Sequence, residues 1–77
     1  MNPENERIYQ AFMKKLQTEI VFFMNTYENA VIKSIPETGF YVKFSGEDEF
    51  LAKNGSRLVT DGLLEYKEIT EKGYNNF

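Results

Sequence analysis

The sequence predicts an α+β protein: a long N-terminal amphipathic helix, then a 4-5-stranded antiparallel β-meander, then a short C-terminal helix. Three observations carry this expectation. Apolar residues recur with helical spacing over residues 8–27. Clean alternation follows over residues 40–45. The dipeptides Asn54-Gly55 and Asp61-Gly62 then punctuate the rest at short intervals.

The helix is expected over residues 3–27. At about 100° per residue, Ile8, Tyr9, Phe12, Met13, Leu16, Ile20, Phe23, Met24 and Tyr27 form one stripe, and Arg7, Gln10, Lys14, Thr18 and Asn25 lie opposite. Asn2 suits the N-cap, Pro3 the first helical position, and Glu4 and Glu6 the positive end of the helix dipole. Val21 and Phe22 fall off the stripe, Phe22 on the side of Lys15, so residues 20–24 are apolar all round. Such a run is buried on more than one side, by its own sheet or by a second chain, and it also fits a buried strand.

Residues 30–35 (AVIKSI) are rich in β-branched side chains and read as a strand. Pro36-Glu37-Thr38-Gly39 reads as a type I turn in a four-residue loop. Residues 40–45 form the next strand, with Phe40, Val42 and Phe44 facing one way and Tyr41 and Lys43 the other. A four-residue loop pairs Ile35 with Phe40 and Val31 with Phe44, and places all of them on the core side. Further strands are expected at 49–53, with Phe50 and Ala52 inward, and at 56–60, joined by an Asn54-Gly55 hairpin turn. Residues 63–69 read as a fifth strand in preference to a helix. Residues 70–76 read as a short helix capped by Thr70, with Ile69 and Tyr74 spaced for a hydrophobic staple. Open sheet and small closed barrel share this pattern.

At 77 residues the chain is expected to form one domain, 1–77, with a limited core. It contains no cysteine and no histidine, so disulfides and thiolate or imidazole metal sites are excluded. The commonest general base and the best nucleophile are missing with them, and Ser34, Ser45 and Ser56 have no base beside them. The five glycines are spaced as turn residues and not as a phosphate cradle. The expectation is a non-enzymatic protein with no cofactor and no evident small-molecule substrate. No leader or membrane-spanning run is visible, which points to a cytoplasmic protein. The abundance of Asn, Lys, Ile, Phe and Tyr suits an AT-rich bacterial or phage genome.

The net charge is −3, and the surplus lies after residue 45, where Glu47, Asp48, Glu49, Asp61, Glu65, Glu68 and Glu71 outnumber Lys53, Arg57, Lys67 and Lys72. No basic tract exists, which disfavours nucleic acid as a partner.

The expected function is protein–protein interaction, with homodimerisation through the long helix. A helix of about 24 residues is roughly 36 Å long, whereas strands of five or six residues span about 17–20 Å, so the helix overhangs its sheet. Val21, Phe22, Lys15, Ile20 and Met24 are the candidate interface. Two alternatives remain. In one, Lys33, Tyr41, Lys43 and Arg57 form a nucleic-acid-binding sheet face. In the other, an acidic surface (Glu47 to Glu49, or Asp61, Glu65, Tyr66, Glu68 and Glu71) inhibits a host protein by occupying a basic groove. The triplet Glu47-Asp48-Glu49 has the oxygen ligands for a divalent cation, but reads first as a solvated hairpin tip.

Overall fold

The computed structural model describes residues 3–77. The order is α1 (Pro3–Thr18), β1 (Val21–Asn25), β2 (Ala30–Ile35), β3 (Gly39–Phe44), β4 (Phe50–Leu51), α2 (Arg57–Glu65), β5 (Lys67–Ile69) and α3 (Glu71–Asn75). The strands form one open antiparallel sheet in the order β4-β3-β2-β1-β5. The α+β class and the open form of the sheet are thus settled. The Asn2 cap lies outside the described residues.

The helix expected over 3–27 stops at Thr18, and its second half is the strand β1. The reason is the all-round apolar run. A central strand with both faces covered needs large apolar side chains at successive positions. Val21 and Phe23 point to the face packed by α1 and α2, and are 1% and 0% exposed. Phe22 points to the opposite face, where its ring lies 5.2 Å from that of Tyr74 on α3. The apparent helical stripe through Phe23 and Met24 is an overlap of two periods, 3.6 and 2.

The β2–β3 register also differs from expectation. Gly39 pairs with Ile35, and Phe40, Val42 and Phe44 pair with Ser34, Ile32 and Ala30. The loop is three residues long because Gly39, at φ 142°, is already the first strand residue. Thr38 N–H donates to Ile35 O at 3.1 Å, and Glu37 has φ 63°, a type II geometry and not type I. One residue of slip exchanges the faces. Phe40, Val42 and Phe44 keep the core side as expected, but their partners there are Ala30, Ile32 and Ser34. Val31 is buried on the α3 side.

Residues 56–60 and 63–65 are not strand. From Arg57 on they belong to α2, with Ser56 at its N-cap, and the apolar positions Leu58, Val59, Leu63 and the following Tyr66 pack on the core. Asn54-Gly55 turns the chain into this helix, with Ser56 N–H donating to Lys53 O at 3.1 Å, and makes no hairpin. The strand expected over 63–69 is reduced to Lys67–Ile69. It follows the left-handed cap residue Tyr66 (φ 40°) and returns beside β1, outside the meander order. Strand 49–53 is reduced to Phe50–Leu51. The C-terminal helix is where it was expected: Thr70 Oγ1 accepts from Gly73 N–H at 3.0 Å, and Tyr74 is buried.

Gly62 is the point of closest approach between α2 and the sheet. A Cβ there would meet Ile32 Cδ1 at 2.7 Å and Phe23 Cε2 at 3.0 Å, and both those side chains are fully buried. Asn25, also fully buried, locks the same junction by donating from Nδ2 to Leu58 O at 2.9 Å and accepting at Oδ1 from Glu28 N–H at 3.1 Å. Gly62→Ala is expected to destabilise the fold by about 1–3 kcal/mol through overpacking, although alanine alone would favour the helix by roughly 1 kcal/mol. Urea unfolding checks this, and a stabilised variant would contradict the close approach.

Candidate functional site

The residues named from sequence are distributed as follows. Of the proposed helix face, Val21 is buried inside the sheet, and Phe22 and Met24 are partly buried on the α3 side. Ile20 is exposed in the link between α1 and β1. Lys15 pairs with Glu68 on β5 at 2.5 Å, which raises the lysine pKa first through that hydrogen bond. With α1 ending at Thr18, the overhang that motivated this surface is absent.

Lys33, Tyr41 and Lys43 do come together, beneath α3. The Lys33 ammonium lies 5.1 Å from the centre of the Tyr41 ring and 5.6 Å from that of Tyr74. It also pairs with Glu49 at 3.0 Å. Lys43 Nζ donates to the carbonyls of Tyr74 and Asn75 at 3.3 and 3.0 Å, at the C-terminal end of α3. Arg57 stands apart on α2, beside Glu28 and Asp61. Lys33 and Lys43 therefore hold α3 to the sheet.

Glu49 is the hub of that attachment. Tyr74 donates its hydroxyl to Glu49 Oε1 at 2.6 Å. The bond to Tyr74, then that to Lys33, holds the Glu49 carboxyl below its ordinary value. Burial first, and the bond to Glu49 second, push the Tyr74 phenol well above its ordinary value. Among the described residues no group of three acids is placed to hold a metal ion, and no helix is long and apolar enough to cross a membrane.

The two edges of the sheet are not alike. The β5 edge is Lys67-Glu68-Ile69, with Glu68 tied to Lys15. Such charges discourage pairing with another strand. The β4 edge is apolar: Phe50 is 44% exposed and Leu51 59%. Phe50 stacks on Phe44 with ring centres 6.0 Å apart, on the core side as the sequence indicated. Ala52 N–H donates inward to Phe40 O at 2.8 Å. Strand alternation then turns the N–H and C=O of Leu51 outward. Beside this edge a groove of about 320 Å³ runs between β3, β4 and α2, lined among others by Phe40, Leu51, Ala52, Val59 and Leu63. A second apolar patch, Tyr27 with Leu64, lies next to Asp61 and Glu65. Sequence reasoning missed Leu51 as a surface residue of interest. Its signal was available: it is the one apolar residue on the outward side of 49–53.

Comparison with protein-family models, with curated proteins and with solved structures yields no match for this chain.

The Glu49–Tyr74 bond predicts pH dependence at both ends. A depressed folded-state pKa means that the Glu49 contribution is present above the ordinary value of 4.5 and is lost as pH falls through the folded value. A raised one means that the Tyr74 contribution is present below the ordinary value of 10.0 and is lost as pH rises beyond it. Glu49→Gln is expected to flatten the acid limb of stability against pH, and Tyr74→Phe the alkaline limb. Urea midpoints across pH check both, and unchanged limbs would contradict the bond.

Proposed function

We propose that this chain is a non-enzymatic protein-interaction module whose binding surface is the free edge of β4, where it accepts an extended strand from another polypeptide. The observation that carries this reading is the contrast between the two sheet edges: charged at β5, apolar at β4, with outward backbone groups at Leu51. Strand addition uses just these parts. Main-chain hydrogen bonds supply affinity, and neighbouring apolar pockets supply specificity. The groove beside β4 offers such a pocket. The lack of histidine and cysteine supports the absence of catalysis. The interaction role is the one expected from sequence; the surface proposed for it is β4 and not the helix.

Leu51→Pro tests the reading selectively. It removes an outward N–H while leaving the inward bonds of Phe50 and Ala52 in place, and edge strands tolerate proline at such positions. Extended peptides selected from a display library against the wild-type chain are expected to bind the variant at least about tenfold more weakly, roughly 1.4 kcal/mol, with unchanged circular dichroism. Equal binding by the variant, or failure to select any extended peptide, would contradict the reading.

A further inference from the structure

We infer that the strand received by β4 is the β4 of a second copy of this chain, paired antiparallel about a two-fold axis at Leu51. The inference rests on the edge reading above and names its occupant. It follows from the outward register together with the charges of the segment Glu49-Phe50-Leu51-Ala52-Lys53.

Ala52 N–H points into the sheet, to Phe40 O. By alternation from β4, Leu51 and the flanking Glu49 and Lys53 are the positions whose backbone can meet an added strand, the Lys53 carbonyl also accepting from Ser56 N–H within its own chain. In an antiparallel self-pairing the two-fold axis sets one residue against its own copy, in a hydrogen-bonded pair at Glu49, Leu51 or Lys53 or in a non-hydrogen-bonded pair at Phe50 or Ala52. An axis at Glu49 sets carboxylate against carboxylate, and an axis at Lys53 sets ammonium against ammonium. Like charges directly opposed are destabilising. An axis at Leu51 instead sets Leu51 against Leu51 and Phe50 against Ala52, a large side chain over a small one. It also sets Glu49 against the second copy's Lys53, twice by symmetry. Leu51 already lies on the α3 side, since it pairs with Tyr41 and its Cδ1 would sit 3.5 Å from a Cβ on Gly39. Glu49 shares that side, where it meets Tyr74 and Lys33, and continued strand alternation assigns Lys53 to it. The second copy's Lys53 thus approaches a carboxylate that Tyr74 and Lys33 hold in place. An axis at Phe50 sets Glu49 against Leu51, and one at Ala52 sets Leu51 against Lys53, so within residues 49–53 only the axis at Leu51 opposes unlike charges.

The interface is small, so association on the order of micromolar to millimolar is expected. The chain has no cysteine, so Leu51→Cys introduces a single thiol. Across a hydrogen-bonded antiparallel pair the Cα atoms lie about 5.5 Å apart, within the range of roughly 4.4–6.8 Å that a disulfide spans. Mild oxidation is expected to convert Leu51→Cys to a covalent dimer, while Glu47→Cys stays monomeric. In sedimentation analysis Lys53→Glu should weaken self-association about tenfold or more. Mixing it with Glu49→Lys should restore dimers, because both opposed pairs become attractive. Absence of dimer at the highest concentration together with no cross-link at position 51 overturns the inference. So does a dimer that ignores Lys53→Glu. In either case peptide binding that is sensitive to Leu51→Pro keeps the edge reading, whereas loss of both results rejects the two together.

Discussion

The structure depends on burying β1 from both sides. Phe23 is packed edge-on by Phe12 of α1 at 5.5 Å and lies against α2 where Gly62 lets the helix approach. Phe22, one residue earlier, faces Tyr74 of α3. A strand so covered has no polar face, and a 77-residue chain has few elements with which to cover it. Here one longer helix and a short one share the first face. The five residues of α3 cover part of the second, held by Lys33, Lys43, Glu49 and the Thr70 cap. The charged residues that look like a binding face in the sequence are spent on this attachment.

With one face covered and part of the other under α3, the edges are where the backbone of the sheet meets solvent. An edge strand is ordinarily protected by charge, brevity or a covering loop. The β5 edge uses charge. The β4 edge relies on brevity and on the acidic residues that precede it, and otherwise presents Phe50 and Leu51. In the proposed self-pairing, the outward backbone of Leu51 and the opposed charges of Glu49 and Lys53 turn that weak protection into a register. On that proposal, attraction between copies and rejection of other alignments come from the same residues.

Much of the fold was legible from residue order, and the errors share a physical cause. The alternation of residues 40–45 and the Thr70 cap are local signals, and they hold; a turn after Ile35 was also legible, but its type and its four-residue length were not. The run at 20–24 is apolar in every direction, and periodicity cannot separate a buried helix from a strand covered on both faces. Gly62 reads as a turn locally. Its reason for being glycine is tertiary, the contact with Ile32 and Phe23. The register of β2 and β3 turned on Gly39 adopting φ 142° inside the strand and not in the loop. The surface reading followed the helix error: Val21 and Phe22 drew attention because the helix could not bury them, and the sheet buries the first and partly covers the second. The edge at Leu51 emerged only once the strand order was known.

The most direct test of the account is amide hydrogen exchange at Leu51 as a function of protein concentration. The inward-bonded amide of Ala52 serves as the internal reference. The account predicts that protection at Leu51 rises with concentration while that at Ala52 stays constant, because only the outward N–H gains a partner when copies pair. Fast exchange at Leu51 at every concentration, with Ala52 protected throughout, would mean that the edge stays open, and would contradict the pairing of β4 with a second copy.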